Sequence, residues 1–391
     1  MNNNEAVFKP FLEEDDYAAI TTSLKNGWLG QGSDTKNFEE AVKNYAQLHD
    51  RHVVGVSTGY AALHLALVLA GIKEGDEVLT PSLNNIADFQ AIENVGATPV
   101  FCDIEEKNLC IDLEKAEKLI TPKVKALMFI DYACWQPSYE KIRTFGEKHN
   151  LIIIHDAAHS FGWRQNGIYT GNFFDYTMFS FDPVKTVTCI DGGVLVIKDE
   201  QQAKLAQELR IMGMGQPVEV NYQNKRAWSY DVKHRGYRYH LANLHAALGY
   251  HQLRKLPVIS HKRKTLFKEY IKALSSCPEM IIPQINLDEV IPLLFVIRVP
   301  QHIRDVFRKK LNDQGIETGL HWRPGHLFSY FSHLAHNDLQ VTNDIYATFL
   351  SLPFHPTVNL ETPYIIASIY HELMMDESFF PKTNILEKPL F

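Results

Sequence analysis

The chain has 391 residues, which is long enough for a large core and two domains. Its apolar fraction of 45% and charged fraction of 22% are typical of a globular protein, and a formal net charge of −7 argues against binding to nucleic acid or to a membrane surface. The five cysteines are odd in number and form no C-x-x-C pair, so we expect reduced thiols in a cytoplasmic protein. We expect neither a signal peptide nor a membrane span, because the start is polar and the apolar runs are short.

The first part of the chain contains two helical patterns and a strand pattern. Residues 13–25 and 37–48 have helical periodicity, and residues 53–56 form a buried apolar run. Between the helices, a glycine-rich turn at 27–32 carries Trp28, which also fits a loop whose Trp packs on the core. Thr58 and Gly59 lead from the strand into a helix rich in Ala and Leu. The first N–H groups of such a helix can bind an anion, although the same residues fit an ordinary N-cap.

Strand and helix patterns then alternate. Residues 77–80, 99–102, 126–130 and 151–154 are predicted strands, and residues 112–120 and 139–150 are predicted helices. This order predicts right-handed crossovers and a doubly wound α/β sheet, in which ligands bind at the carboxyl ends of the strands. Asp156 comes just after the strand at 151–154, so a carboxylate is expected at that edge.

A lysine is predicted to lie at the same edge. Residues 176–180 form another apolar strand pattern, and Pro183 prevents a regular strand or helix after it, so Lys185 is placed on a loop. Asp191 begins a turn, and residues 194–197 are the next predicted strand. An acid and a lysine at one sheet edge suit pyridoxal phosphate, whose aldehyde bonds to a lysine and whose ring nitrogen pairs with a carboxylate. A surface lysine and an unrelated strand-end acid would give the same spacing.

The last third of the chain has a different character. The character changes near residue 256, and the basic run 261–264, which also fits a solvated helix face, opens a long helix. Residues 293–299 form a predicted strand and residues 301–314 a helix, and a final helix starts at Thr362. We therefore predict a large domain at 1–255 and a smaller α+β domain at 256–391, on which residues 1–25 can pack. A polar loop at 319–326 carries His321, Trp322 and Arg323, and loops of this kind often carry function.

Four separated motifs, in this order along the chain, resemble those of one enzyme family, the DegT/DnrJ/EryC1/StrS aminotransferases. They are the sequence Asp156-Ala157-Ala158-His159, the segment 179–185 that ends in Lys185 together with the Asp191-Gly192-Gly193 turn, the segment 236–249, and the loop 319–326. The resemblance implies a fold-type I aminotransferase with a mostly parallel sheet flanked by helices. It also implies pyridoxal 5'-phosphate as cofactor, with Lys185 forming the Schiff base, Asp156 keeping the ring nitrogen protonated and His159 bonding the ring hydroxyl.

The resemblance assigns the remaining site residues as well. Ser180 and the Thr58-Gly59-Tyr60 backbone are implied to bind the cofactor phosphate, with Arg238 reaching it from the second subunit of a homodimer. Asn85 stands where the family usually has the aromatic residue that stacks on the cofactor ring; either Asn85 or Phe89, one turn later, is expected there. The implied substrate residues are Trp28, Leu29, His321, Trp322 and Arg323.

The implied reaction is transfer of an amino group from L-glutamate to a keto-sugar that is linked to a nucleotide, for polysaccharide or antibiotic sugar synthesis. A sugar dehydratase of the same fold is the alternative, but the dehydratases of the family carry histidine in place of the lysine, so Lys185 favours transamination. A non-catalytic regulator that binds the cofactor is a further alternative. A dehydrogenase is disfavoured because no G-x-G-x-x-G follows a predicted strand.

Overall fold

The computed structural model describes residues 5–215, 220, 222–225, 228–334 and 338–376. The strands, numbered in chain order, are β1 (His52–Val56), β2 (Glu77–Pro81), β3 (Thr98–Cys102), β4 (Val124–Ile130), β5 (Ile152–Asp156), β6 (Arg164–Gln165), β7 (Ile168–Tyr169), β8 (Tyr176–Ser180), β9 (Gly193–Ile197), β10 (Met214–Gly215), β11 (Asp231–Val232), β12 (Phe295–Arg298) and β13 (Phe349–Leu352).

Seven strands form the central sheet, in the order β1-β9-β8-β5-β4-β2-β3. β9 is antiparallel to both of its neighbours, β1 and β8, whereas the other pairs in the sheet are parallel. The predicted mostly parallel α/β sheet is therefore confirmed. Its central strands are buried along nearly their whole length, because helices cover both faces and leave no solvated side.

The helices are α1 (Glu14–Asn26), α2 (Ser33–Tyr45), α3 (Gly59–Leu69), α4 (Ile86–Asn94), α5 (Leu113–Glu117), α6 (Tyr139–His149), α7 (Glu200–Leu209), α8 (Asn243–Arg254), α9 (Leu256–Leu274), α10 (Gln301–Asp313), α11 (Gln340–Thr348) and α12 (Thr362–Met375), with short 3-10 turns at Gly325–Leu327 and Ser329–Leu334. None of the helices in the described ranges is both long and apolar enough to cross a bilayer.

Two helices differ in extent from the prediction. α2 begins at Ser33, one turn earlier than expected, because Asn224 and Asn243 accept hydrogen bonds from the N–H groups of Ser33 and Thr35 in its first turn. α5 is shorter than the predicted helix at 112–120 and ends at Glu117; the Asp112 carboxylate caps its start. Side-chain contacts, which periodicity does not reveal, therefore set the start of α2, whereas α5 keeps its expected start and ends at Glu117 instead of Ile120.

The chain after Lys255 forms an α+β unit around the antiparallel pair β12–β13, with α9, α10, α11 and α12. The N-terminal segment contacts this unit: Glu5 forms a parallel bridge with Ile316, and the N–H of Phe354 donates to the Val7 carbonyl. α1 instead packs beside α8, where Lys255 is paired with Asp15 and Asp16. The carboxyl ends of β5 and β8 face a cavity that this second unit helps to line.

Candidate active site

A cavity of about 400 Å³ lies at the carboxyl ends of β5 and β8, the position where open α/β sheets bind ligands. Its volume is within the range of sites for small molecules and cofactors. The N-termini of α3 and α4 border it on one side. Segments from the second unit and from the N-terminus complete the wall through Phe8, Leu293, Leu294, His321 and Trp322.

Lys185 lines this cavity from a loop that hydrogen bonds hold in place. The N–H of Lys185 donates to the Asp182 carbonyl at 3.0 Å, and the Asp182 carboxylate accepts from the N–H of Val184, also at 3.0 Å. Pro183 lies between them and restricts the backbone of this turn further. The predicted loop therefore presents the amine to the sheet edge from a fixed backbone.

The electrostatic surroundings of Lys185 favour its neutral form. Burial lowers the pKa of Lys185, because the charged ammonium loses its hydration, while the carboxylates of Asp156, Asp182 and Asp88 act in the opposite direction. The net shift is downward, so a larger share of the amine is unprotonated near neutral pH than for an ordinary lysine. An unprotonated amine is the form that attacks a carbonyl carbon.

Asp156 is the last residue of β5 and is 1% exposed. Its Oδ1 accepts a hydrogen bond from the N–H of Ala158 at 2.8 Å, which fixes the carboxylate. Burial raises the pKa of Asp156, while the Ala158 N–H, Asp88 and Lys185 oppose the rise. The ionised carboxylate predicted from the sequence thus depends on donors and on a cation brought into the cavity.

His159 follows Asp156 on the same wall and is neutral. Burial lowers the pKa of His159 well below its usual value, and Lys185 and His321 lower it further. Its Nδ1 accepts a hydrogen bond from the N–H of Ala133 at 2.9 Å, so the ring proton is on Nε2. A neutral histidine in this tautomer offers one N–H donor to a ligand oxygen.

The N-terminus of α3 approaches the end of β8 closely. Thr58 caps the helix by accepting from the N–H of Ala61 at 2.9 Å, which leaves the first amides of the helix for an external acceptor. A Cβ on Gly59 would lie 3.0 Å from the Ser180 Cβ, and a Cβ on Gly193 would lie 2.3 Å from the Thr58 carbonyl oxygen. Glycine at these two positions is therefore what lets the helix start and the Ser180 hydroxyl meet in one anion-binding corner.

Tyr60, the second residue of α3, also lines the cavity, but its hydroxyl accepts a hydrogen bond from Asn94 at 2.6 Å. Its ring lies parallel to that of His64, with 6.3 Å between the centroids. Tyr60 thus offers its backbone N–H to the corner rather than its hydroxyl, as expected from the sequence departure at this position.

His321 and Trp322 reach the cavity from a loop far away in sequence. The Nδ1 of His321 lies 2.9 Å from the Ser351 hydroxyl, and burial, followed by Lys185, lowers the pKa of His321 to about 4. The Trp322 ring lies 5.1 Å from the His159 ring, centroid to centroid. The structure therefore brings these two predicted substrate residues to the same wall as the predicted cofactor residues.

Four other predicted residues lie away from the lining of this cavity. The Trp28 indole donates to the Gln31 carbonyl at 2.8 Å, and the next residue, Leu29, is 45% exposed. The Arg323 guanidinium donates to the Leu327 carbonyl at 2.6 Å. Arg238 lies on a short backbone bridge to Ile211. Within one chain, these side chains are not assembled with Lys185.

Asn85 lines the cavity at the start of α4, where its carboxamide oxygen accepts from the N–H of Ala87 at 2.9 Å. Phe89, the alternative ring-stacking residue, points elsewhere: it is fully buried and makes edge contacts with Phe101 and Phe331, at 5.0 and 5.7 Å between centroids. The expectation that Phe89 reaches the cavity is therefore wrong. The apolar side of α4 faces a neighbouring cluster, and Phe89 belongs to it.

The sequence interpretation also missed residues that line the cavity. Asp88, in the first turn of α4, is fully buried beside Asp156, although an acid in a first turn is usually an exposed partner of the helix dipole. Asp182 and Asp191 were seen only as parts of motifs. No local signal marks Asp88: Ala87 and Phe89 beside it are apolar, but Ile86 in the same turn is 40% exposed, so apolar neighbours do not indicate a buried position here.

The cavity fits pyridoxal phosphate on the groups present. It holds a lysine with a lowered pKa, a buried carboxylate, a neutral histidine donor and an anion-binding corner. Among the described lining residues, Lys185 is the one lysine or arginine, so the corner for the phosphate is built from neutral donors. These four groups match the aldehyde, the ring nitrogen, the ring hydroxyl and the phosphate of that cofactor.

Comparisons with known proteins identify the family and its cofactor. The sequence model of the DegT/DnrJ/EryC1/StrS aminotransferase family matches residues 10–370. Among solved structures, the chain is similar to DesV of S. venezuelae, at 29% identity and a TM-score of 0.84 over 94% of this chain and 99% of that one. It is also similar to the aminotransferase TlmJ from Streptoalloteichus hindustanus, at 27% identity and a TM-score of 0.86 over 96% of this chain and 100% of that one. A third similar structure is that of PseC of Helicobacter pylori, an aminotransferase involved in the biosynthesis of pseudoaminic acid, at 25% identity and a TM-score of 0.86 over 95% of this chain and 99% of that one.

Proposed function

The chain belongs to the DegT/DnrJ/EryC1/StrS aminotransferase family, a family of sugar aminotransferases that use pyridoxal phosphate, and we propose that it transfers the amino group of L-glutamate to a nucleotide-linked keto-sugar. The observation that carries the proposal is the meeting of Lys185, Asp156, His159 and the N-terminus of α3 in one cavity. PseC, one of the similar structures, acts in the biosynthesis of pseudoaminic acid, which supports a sugar as the acceptor.

Bound pyridoxal phosphate supplies an aldehyde that condenses with amines and a ring that withdraws electrons from the atoms attached there. Lys185 would provide the amine that holds the cofactor, and burial, which lowers the pKa of Lys185, favours the unprotonated form that bonds to the aldehyde. When the amino donor displaces it, the same Nζ is a base that can take the proton from the α-carbon of the donor. The fixed loop from Asp182 to Lys185 keeps this base at one place throughout.

The other residues hold the ring in register with that amine. Asp156, fixed by the Ala158 N–H, would accept a hydrogen bond from the protonated ring nitrogen and so stabilise its positive charge. The Nε2–H of His159 donates to the ring hydroxyl oxygen. The amides at the start of α3 and the Ser180 hydroxyl bind the phosphate. An apolar part of the cavity wall, formed by Leu293, Leu294 and Phe8, excludes water from the site.

The reaction is tested with the protein loaded with pyridoxal phosphate. We expect a visible absorption band from the lysine-bound cofactor, its loss on addition of L-glutamate, and release of 2-oxoglutarate in proportion to the band lost. Amino acids other than L-glutamate serve as competing donors. A coloured protein that no amino donor bleaches, but that eliminates water from a keto-sugar, would favour the alternative sugar dehydratase.

Lys185→Ala is the variant that decides the role of the amine. Its fold should be retained, because Lys185 lies on a loop and takes part in the turn through its backbone. Its transamination should be lost, and borohydride should no longer attach the cofactor to the chain. Borohydride attachment to another side chain in the wild-type protein, or normal turnover of Lys185→Ala, would contradict the proposal.

A homodimer is part of the proposal, because the phosphate corner contains no arginine of its own among the described lining residues. Arg238 lies outside the cavity of its own chain and is available to a second copy. A guanidinium binds phosphate by charge-assisted hydrogen bonds, which are stronger than those from neutral groups. We therefore assign Arg238 to the cofactor phosphate of the partner subunit.

Subunit mixing tests this arrangement. Lys185→Ala and Arg238→Ala should each be impaired as homodimers, but a mixed dimer has one site with both residues and one site with neither. Random mixing should restore about a quarter of the wild-type sites, as the symmetry of a shared-site dimer requires. If each site is formed by one chain, mixing restores nothing beyond the average of the two parents.

The sugar itself is tested with a pair of acceptors. A keto-sugar linked to a nucleoside diphosphate and the same keto-sugar without the nucleotide should differ strongly in kcat/KM, because binding energy of the distant nucleotide helps to position the reacting carbon. Equal values for the two would limit the assignment to free sugars.

A further inference from the structure

A second buried carboxylate lies against Asp156. Asp88, the third residue of α4, is fully buried, and its carboxylate is in hydrogen-bonding contact with that of Asp156. The Asp88 Oδ2 accepts from the carboxamide nitrogen of Asn84 at 2.7 Å. Its other oxygen, Oδ1, has no hydrogen-bond donor in the described part of the chain. Asp156 is better supplied, because its Oδ1 accepts from the Ala158 N–H.

Two ionised carboxylates in contact away from water repel each other strongly, and one proton between them removes the repulsion. The protonated carboxyl then donates a hydrogen bond to the ionised one. Burial, followed by the charge of Asp156, raises the pKa of Asp88 well above its usual value. Asp88 is therefore the member of the pair that keeps the proton. Its Oδ1, which accepts no hydrogen bond from the described residues, is the oxygen that carries this proton, because Oδ2 already accepts from Asn84.

The charged groups around the pair do not remove the need for this proton. Lys185 faces it from the loop after β8, and its positive charge lowers the pKa of Asp88, but burial lowers the pKa of that ammonium as well. His155, beside Asp156 on β5, is engaged by the Asp131 carboxylate at 2.9 Å. The two carboxylates thus face one lysine, whose own positive charge burial disfavours, so this lysine does not balance two negative charges.

We propose that Asp88 holds a proton and donates it in a hydrogen bond to Asp156, so that the two residues carry one negative charge between them. Asp88 is then a positioning residue: it orients the Asp156 carboxylate and spreads its charge. Its effect on the reaction rests on the proposed function, in which Asp156 meets the ring nitrogen of the cofactor. The shared proton is a property of the protein alone.

Two substitutions of Asp88 distinguish a role as hydrogen-bond donor to Asp156 from a purely structural role of the side chain. In Asp88→Asn, the new carboxamide oxygen can accept from Asn84 while its nitrogen donates to Asp156, which copies the protonated acid. In Asp88→Ala, the donor to Asp156 is lost and the carboxamide of Asn84 loses its acceptor. A merely structural role would make the two variants fail in proportion to their stability, whereas a donor role predicts rescue by Asn.

Infrared spectroscopy of the cofactor-free protein detects the proton directly. We expect the carbonyl stretch of a protonated carboxylic acid at neutral pH, a shift of that band in protein labelled with [4-13C]aspartate, and its absence from Asp88→Asn. Absence of the band from the wild-type protein, or its persistence in Asp88→Asn, would overturn the proposal. The isotope shift needs no variant: if Asp88→Asn does not fold, absence of an aspartic acid band from the wild-type protein still overturns the proposal, and loss of that band in Asp88→Ala assigns it to Asp88.

The loaded enzyme supplies the second measurement. Asp88→Asn should keep kcat close to that of the wild type and remove one step from the pH dependence of the visible absorption. Asp88→Ala should lower kcat by about 10- to 100-fold, the range expected when a charged group loses one hydrogen bond. A wild-type kcat in Asp88→Ala would contradict the positioning role. If the infrared band is present but the enzyme does not transaminate, the shared proton stands and the proposed function is rejected. If the enzyme transaminates but the band is absent, the proposed function stands and the shared proton is rejected.

Discussion

Two groups of buried charges in this molecule have opposite designs. The first, which we call the Glu39 cluster, consists of Glu39, Arg210, Tyr222 and the Gly55 backbone. Both oxygens of Glu39 accept hydrogen bonds: Oε1 from Arg210 and from the Gly55 N–H at 2.6 and 2.7 Å, and Oε2 from the Tyr222 hydroxyl at 2.6 Å. Although burial opposes it, Tyr222 and Glu39 raise the pKa of Arg210. Each charge in this cluster has its opposite.

The second, the Asp156 cluster, consists of Asp156, Asp88 and Lys185, and its charges do not balance. It has two acids and one lysine, burial shifts each pKa towards the neutral form, and Asp88 Oδ1 lacks a donor among the described residues. The Glu39 cluster joins α2, β1 and the end of α7, and its acid and its base balance, although the Arg210 Nε has no hydrogen-bond partner in the described part of the chain. The Asp156 cluster keeps binding capacity for a group that enters the cavity. The excess of buried acid over buried base therefore separates the site from the Glu39 cluster.

The largest effect is expected when the balanced cluster is broken. Glu39→Ala leaves the Arg210 guanidinium buried without its counter-charge, which should lower the free energy of unfolding by about 3–5 kcal/mol. Denaturant unfolding measures this loss. Glu40→Ala, on the same helix, is the matched control, because Glu40 is exposed and its ion pair with Lys36 spans 3.7 Å; it should cost less than about 1 kcal/mol. Equal costs for the two variants would contradict the assignment of the Glu39 cluster to the scaffold.

The unbalanced cluster should respond in the opposite sense. Asp156→Asn removes the charge that stabilises the ring nitrogen of the cofactor and should lower kcat by about 10²–10³-fold, the effect of losing one preorganised electrostatic contact. The free energy of unfolding should not fall, because burial raises the pKa of Asp156 and so works against its charged form. Single-turnover kinetics with L-glutamate and denaturant unfolding measure the two quantities. If Asp156→Asn lost as much stability as Glu39→Ala and kept its kcat, Asp156 would belong to the scaffold rather than to the site.

The scaffold was largely predictable from sequence because its signals are local. Runs such as 151–154 and 194–197 are apolar and β-branched, and the structure has strands there, so the α/β sheet is confirmed. The family resemblance is confirmed by the match over residues 10–370. Lys185 and Asp156 could be placed on one sheet edge because each follows its own strand closely. In these cases, a few neighbouring residues decide where a side chain lies.

The rest of the site depends on how elements cross. Phe89 was expected at the cavity because it lies one turn after Asn85, but the packing of α4 turns it towards Phe101 and Phe331. Asp88, one residue before it, faces the cavity instead, and no local pattern distinguishes a buried acid in a first turn from an exposed one. Trp28 contacts its own loop rather than the cavity. These directions are set by tertiary packing, which periodicity does not encode.

A smaller effect is expected from His321, which extends the comparison to pH. Burial and Lys185 lower the pKa of His321 to about 4, whereas an unfolded histidine titrates near 6.5. Between these values the unfolded chain binds a proton that the folded chain does not, so stability falls as the pH decreases from about 6.5 to 4. His321→Gln should reduce this loss by about 1–2 kcal/mol at pH 5.

Thermal unfolding of the wild-type protein and of His321→Gln at pH 7 and pH 5 measures how much stability each protein loses on acidification. His240 and His355, whose pKa values burial also lowers to about 4, remain in the variant, so part of the acid sensitivity should persist. An identical pH dependence in the two proteins would show that His321 has the same pKa in the folded and the unfolded chain.

The smallest effect separates a helix cap at the cavity from a cap elsewhere. Thr58 caps α3 at the anion-binding corner, and Ser138 caps α6 at an exposed position; each side chain accepts from a backbone N–H three residues later, at 2.9 and 3.4 Å. Replacing either residue by Ala should cost about 1 kcal/mol of stability. Only Thr58→Ala should also weaken binding of pyridoxal phosphate, because the freed Ala61 N–H changes the set of amides offered to the phosphate. Fluorescence titration with the cofactor measures this, and an equal loss of affinity in Ser138→Ala would mean that helix stability, rather than the corner at α3, controls cofactor binding.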